Sequence, residues 1–249
     1  MTRQHVGLDT VRFVAAGRSD LGGGRADNED TIFVGSYLVA VADGVGGSAA
    51  GEVASQEAIS AISYLEDRSF RKGEEGELAD GLHYANGRLG RTIEADASLT
   101  GMATTLTALR LGPSSVGVLH VGDSRAYRVG AEGLAQITRD DSLMQDYIDA
   151  GVLTPEQAAT DRRRSVILQA LSGQPVVPSI AILQVHPDDR FLLCSDGLSD
   201  YVRHDEIAEV VLDKAKAPER CVEELIALAL GHGTRDNVSC VVADVRREY

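Results

Sequence analysis

The chain has 249 residues, of which 43 % are hydrophobic and 25 % charged, and its 38 acidic side chains against 24 basic ones give a net charge of −14. That length can bury a sizeable core in one large domain or two small ones. The acidic balance argues against binding nucleic acid through its phosphates, which requires a basic surface. No stretch approaches the about 18–20 apolar residues of a membrane span, and the N-terminal "MTRQHVGLDTVRF" lacks the apolar core of a signal peptide. A soluble, cytoplasmic protein without nucleic-acid or membrane partners is expected. Cys194, Cys221 and Cys240 stand singly in apolar surroundings without CxxC spacing, so buried free thiols in a reducing compartment are expected and a cysteine–histidine zinc site is not.

In chain order, runs rich in Val, Ile, Leu, Phe and Thr bounded by Gly, Asp or Ser predict strands near 11–17, 31–35, 37–42, 103–111, 115–122, 125–129, 133–138, 179–185, 190–195 and 238–245. Helices are predicted near 50–67, 75–95, 142–150, 155–160, 204–213 and 218–231. In the first helix Val53, Ala54, Ala58, Ile59, Ala61, Ile62 and Leu65 keep a helical period, and Thr154 before Pro155 is a capping signal. Hairpin-length links dominate the middle of the chain. That favours antiparallel sheets with helices packed outside over a regular strand–helix alternation.

One device recurs. "RFLLCSDGLSDYV" carries Asp196 and Asp200 past the end of an apolar run, "YLVAVADGVGG" does the same with Asp43 before Gly44, and "VGVLHVGDSRAY" with Asp123. "GHGTRDNVSCVVADV" puts Asp236 just ahead of a strand, and "GGGRADNEDTIFV" puts Glu29 and Asp30 at a strand start. Carboxylates gathered at close range repel, and one then tends to take up a proton unless divalent cations keep all of them ionised. Oxygen donors favour Mg²⁺ or Mn²⁺ with retained waters. A glycine after the aspartate lets a backbone carbonyl approach a metal. Two cations bridged by a shared carboxylate, roughly 3.5–4 Å apart, suit a water for in-line attack on phosphorus. Taken singly, an Asp-Gly pair is better explained by a plain turn.

Other motifs give less. Gly44, Gly46 and Ala49 fit G-x-G-x-x-A, but Asp43 would repel a pyrophosphate and no second strand ends in an acid about 20 residues on. There is no P-loop lysine and no EF-hand spacing, and Ser195 and Ser124 lack a nucleophile-elbow context. His120, inside an apolar strand, reads as a core histidine.

Taken in order, "GRADNEDTIFV", "VADGVGGSAAGE", "GMATTLTAL", "HVGDSRAYRV", "LLCSDGLSDYV" and "RDNVSCVV" resemble the metal-dependent Ser/Thr protein phosphatases of the type-2C class (the PPM family), in its short bacterial branch, over about residues 12–245. The resemblance implies an α+β fold, a four-layer α/β/β/α sandwich with two central antiparallel sheets flanked by helices. It implies one phosphatase domain over residues 1–249, with a flap at about 139–172. Asp43, Asp196 and Asp236 would hold a first Mn²⁺ or Mg²⁺, and Asp43, the Gly44 carbonyl and Glu29 a second, largely through water. Asp30 would orient the ligands. Asp123 and Asp200, with Asp196, match a third, weaker metal site, and Arg25 the arginine that clamps substrate phosphate.

The implied substrates are phosphoserine and phosphothreonine in proteins, and the implied partners a bacterial Ser/Thr kinase and its targets. A catalytically silent interaction module of the same fold and a small-molecule phosphomonoesterase are the alternatives. The chain departs from common family patterns at Val45, where many eukaryotic members have a histidine, at Ala103 in place of glycine, at Asp141 in place of a frequent histidine, and at Asp161-Arg162 in place of His-Pro. Arg162, Arg163 and Arg164 are either a solvated basic run or an attraction for acidic substrates.

Overall fold

A computed structural model describes residues 11–46, 49–67 and 74–248. The expectation about a signal segment falls mainly on residues 1–10 and lies outside the described residues, as do Gly47 and Ser48 of the glycine-rich turn. The chain runs through β1 (Val11–Asp20), β2 (Asp30–Val34), β3 (Leu38–Val45), α1 (Ala49–Ile62) and α2 (Glu74–Ala95). There follow β4 (Ala103–Thr104), β5 (Leu106–Leu111), β6 (Ser115–Val121), β7 (Arg125–Gly130), β8 (Gly133–Gln136), α3 (Leu143–Asp149) and α4 (Pro155–Ala159). The last elements are β9 (Ser179–Gln184), β10 (Arg190–Cys194), α5 (Asp196–Ser199), α6 (His204–Val211), α7 (Pro218–Gly231) and β11 (Val238–Arg247).

Two sheets result, one ordered β1-β11-β10-β7-β8 and the other β2-β3-β5-β6-β9 with β4 beside β3. Every strand pair in them is antiparallel. Three apolar cores lie between four layers. One packs Ala54, Ala58, Ile62, Leu78 and Leu82 of α1 and α2 against Leu38, Ala40 and Leu119 of the second sheet. The middle core joins the sheets through Val39, Val41, Leu109, Phe191, Leu193 and Val241. The third packs Leu192, Cys194 and Val242 against Ile207, Leu225 and Ile226 of α6 and α7. This is the expected four-layer sandwich.

β10 shows why its sequence is apolar without alternation. It pairs with β11 on one side and β7 on the other. Phe191 and Leu193 point into the inter-sheet core while Leu192 and Cys194 point toward the helices, so both faces are covered. The three cysteines are buried and free, as expected. His120 is a buried strand residue, held between the Thr107 hydroxyl and the Arg139 carbonyl, each 2.9 Å away. Among the described residues, no helix is long and apolar enough to cross a membrane.

Two local features differ from the sequence expectation. The strand predicted over 103–111 breaks at Thr105, whose amide donates to the Asp43 carbonyl at 2.9 Å while its hydroxyl accepts from the Asp43 amide at 2.9 Å. Thr105 thus ties the end of β3 in place rather than continuing a ladder. Beyond β10 the chain does not make a simple glycine turn. It enters the single helical turn α5, which begins at Asp196.

Candidate active site

The ends of five strands meet at one edge of the sandwich. The β2–β3 pairing puts Asp30 directly opposite Asp43. Cys194, two residues before Asp196, lies between Arg125 of β7 and Cys240 of β11, which brings Asp123, Asp196 and Asp236 to the same edge. Close backbone approach holds the cluster together. A Cβ on Gly44 would lie 2.2 Å from the Gly51 carbonyl oxygen of α1, and one on Gly197 would lie 1.9 Å from the Asn237 oxygen. Only glycine fits either place. The Gly44 amide also donates to the Glu29 carbonyl at 3.1 Å, joining the two segments expected to share a cation.

Residues to which the sequence reading gave no role in the site fix these carboxylates. Buried Asn237 accepts from the Glu29 amide at 2.8 Å and donates to the carbonyls of Leu21 and Asp27, each at 3.0 Å. It thereby pins the loop carrying Arg25 and Glu29 to the start of β11. Ser195 donates to Asp30 Oδ2 at 2.9 Å and accepts from the Ser239 amide at 3.0 Å, so this buried hydroxyl positions a carboxylate. Arg125 grips Asp140 through Nε and Nη2 at 2.9 and 2.6 Å, adding a fixed ion pair beside Asp123. These partners lie far apart in the chain, so spacing carried no signal for them. The Asn in "RDNV" and the Asp-Asp in "TRDDS" were the only local hints.

Arg25 lies within the site, but its fork is spent on Asp236: Nε is 2.7 Å from Oδ1 and Nη2 is 2.8 Å from Oδ2. Its Nη1 is 3.7 Å from Glu29 Oε2. The pairing with Asp236 raises the guanidinium above its ordinary value. Arg164, just beyond α4, reaches Asp200, with Nε 3.5 Å from Oδ2. Arg163 instead pairs with Asp161 at 2.9 Å and lies over the Tyr147 ring, 5.2 Å from its centroid. Between the carboxylates and α3–α4 runs a cleft of about 430 Å³ that Asp123, Asp140, Arg164, Asp196 and Asp200 help to line. Asp141 ties the segment that follows β8 to this edge. Its amide donates to the Gly122 carbonyl at 2.6 Å, its carboxylate accepts from the Gly122 amide at 3.0 Å, and its carbonyl accepts from the Leu168 amide at 2.7 Å.

The cluster is electrostatically unbalanced. Burial first, then Asp30, Asp196, Asp123 and Asp236 in turn, hold Asp43 well above the usual carboxylate range. Burial and then Asp123, Asp200 and Asp236 do the same to Asp196. Burial pushes Asp123 up to about 7, assisted by Asp140 and Asp200. It pushes Asp30 up to about 6 against the lowering effect of its serine hydrogen bonds. Glu29 and Asp200 are also raised, in each case by burial foremost. Glu29 Oε1, Asp30 Oδ1 and Asp123 Oδ1 are buried with no hydrogen-bond partner. Buried carboxylate oxygens left unpaired are costly, and a hard cation satisfies them. The residues therefore fit divalent metal. Among the described residues, no three His, Cys, Asp or Glu side chains close into a cage by themselves.

The protein phosphatase 2C family model matches residues 25–228 of this chain. The chain belongs to that family. It is 43 % identical over 232 residues to the serine/threonine protein phosphatase PstP of Mycobacterium tuberculosis, an alignment covering 92 % of this chain and 44 % of that protein. The chain therefore spans less than half of that relative's length. With the serine/threonine phosphatase stp of Listeria monocytogenes it shares 32 % identity, over 91 % of this chain and 94 % of that one. The crystal structure of the PstP catalytic domain in complex with two manganese ions superposes with a TM-score of 0.89 at 40 % identity, covering 95 % of this chain and all of that one.

Proposed function

We propose that the chain is a metal-dependent phosphatase that hydrolyses phosphoserine and phosphothreonine monoesters in proteins. The observation that carries this reading is the convergence of Asp30, Asp43, Asp123 and Asp196, each raised above the usual carboxylate range by burial first, with the Asp236 charge adding to the effect on Asp30, Asp43 and Asp196 and with carboxylate oxygens left unpaired. Asp43, Asp196 and Asp236 would hold one cation, Asp43, the Gly44 carbonyl and Glu29 a second, and Asp123, Asp196 and Asp200 a weaker third. Asp30, fixed by Ser195, orients the ligands around Asp43. The all-oxygen donor set suits Mn²⁺ or Mg²⁺, and the two manganese ions in the PstP catalytic-domain structure support the two-ion core. Cations bound there supply Lewis acidity, making water more acidic and stabilising charge on phosphoryl oxygens.

The side chains do the rest by position and charge. Arg25 turns its fork from Asp236 to the substrate's phosphoryl oxygens, matching their geometry with two parallel hydrogen bonds. Ser195 and Ser124, adjacent to Asp196 and Asp123, are buried and committed to hydrogen bonds, Ser195 with Asp30 and the Ser239 amide and Ser124 with Thr105, so neither is a nucleophile and no phosphoenzyme is expected. Position 45 is valine and offers no proton, so the departing alkoxide is protonated by solvent at the site.

The substrates are phosphoproteins, including a Ser/Thr kinase and its targets. Names of the relatives support the protein-phosphatase part of this. Residues 1–249 form one phosphatase domain with a flap at 139–172, a division supported by the segment anchored through Asp141. A cytoplasmic setting is supported by three buried free thiols. Purified protein should hydrolyse a phosphothreonine peptide faster than p-nitrophenyl phosphate at equal concentration when Mn²⁺ is present, and neither in EDTA. Equal or faster turnover of the small ester would instead indicate a small-molecule phosphomonoesterase, and no turnover of either a silent module.

A further inference from the structure

At the end of β3 runs a second groove of about 360 Å³, between Val45 and Ala103 on one side and residues 167–176, the end of the flap and the stretch just after it, on the other. Val45, Leu168, Pro175 and Val176 are among its lining residues. None of those residues is charged, although a quarter of the chain is and its net charge is −14. Val45 is 41 % exposed and Leu168 48 %, so apolar carbon is open to water here rather than folded away.

The groove is continuous with the catalytic edge. Val45 stands two residues beyond Asp43 on β3, and strand alternation puts both side chains on one face, about 7 Å apart along the strand. An extended peptide covers that distance in about two residues. The opposite wall is rigid. Thr104 and Leu171 exchange backbone hydrogen bonds at 3.0 and 2.9 Å, and Gln169 accepts from the Val177 amide at 3.1 Å while donating to Asp141 at 3.3 Å. The volume suits one or two side chains.

We propose that this groove receives an apolar side chain of the substrate protein lying about two to four residues from the phosphorylated one, so that Val45, Leu168 and Pro175 set sequence preference. The inference rests on the phosphatase reading given above. The occupant is apolar because an uncharged, exposed lining gains by excluding water and offers a charged side chain no partner.

The test uses the full chain with Mn²⁺ and phosphothreonine peptides in which a single leucine or aspartate is moved through the positions on either side of the phosphorylated residue. Wild type should show kcat/KM about tenfold higher for leucine than for aspartate at one or two adjacent positions, the gain from burying most of a leucine side chain. Leu168→Asp and Pro175→Asp should each erase that preference and leave p-nitrophenyl phosphate hydrolysis unchanged, which also shows that the variants fold. A wild type indifferent to leucine at every position, or a preference that survives both substitutions, overturns the proposal. A wild type inactive on the peptides and on p-nitrophenyl phosphate alike defeats the phosphatase reading and this inference with it.

Discussion

Asn237→Ala isolates the contribution of a residue that touches neither cation nor substrate. The side chain is 3 % exposed and makes three hydrogen bonds, to the amide of Glu29 and the carbonyls of Leu21 and Asp27. At about 0.5–1.5 kcal/mol net for each, their loss costs about 2–4 kcal/mol in all. The cost falls on the 21–29 loop, because the three cores of the sandwich do not use Asn237. Opening that loop releases Glu29 and Arg25 together. Amide exchange at Glu29 should accelerate by roughly 30-fold or more, the factor that corresponds to about 2 kcal/mol. The value of kcat/KM should fall at least about tenfold, since small misplacements of binding groups are costly to catalysis. Circular dichroism should be unchanged. If exchange at Glu29 and kcat/KM both match wild type, the pinning role is wrong.

Arg25→Ala should have opposite effects on substrate and metal. KM for phosphopeptide should rise about 10–100-fold on loss of a charge-assisted fork, whereas Mn²⁺ affinity should hold or tighten, because both Asp236 oxygens are freed; weakened Mn²⁺ binding would contradict this. In EDTA, the folded state retains protons on Asp30 up to about pH 6 and on Asp123 up to about pH 7, while the unfolded chain releases them near pH 4. The stability these groups contribute is thus complete below about pH 4 and lost as the pH rises through 6 to 7. Metal-stripped wild type should therefore lose more Tm between pH 5 and 8 than Asp123→Asn, and Mn²⁺ should remove the difference; parallel Tm curves in EDTA would refute it. Asp196→Asn should abolish nearly all turnover while the cores stay folded, and near-normal activity would count against its role.

Much of the fold was legible because its signals are local. β10 reads as an uninterrupted apolar run since both its faces are covered, and α4 starts where Thr154 and Pro155 predict, closed by the reciprocal Thr154–Gln157 hydrogen bonds. The carboxylates were legible because the pattern of an acid at a strand end repeats along the chain. The partners that hold them were not. Asn237 meets Glu29 across 208 residues and Ser195 meets Asp30 across 165, and no spacing rule links such pairs before the chain folds. The break at Thr105 was hidden for a related reason. Its sequence reads as good strand, and only the approach of Asp43 turns its hydroxyl to another use. Arg25 could be placed in the site by the family resemblance, but its grip on Asp236 could not, because it depends on where β11 begins.

The most direct test of the account is the number of Mn²⁺ ions bound at equilibrium by metal-stripped protein, measured by calorimetry and by electron paramagnetic resonance of the free ion, for wild type and Asp196→Asn side by side. The account predicts at least two ions on wild type, with spectroscopic coupling between them, and loss of at least one on the variant. A wild type that binds no Mn²⁺, or a variant that binds as many ions as tightly, would contradict it.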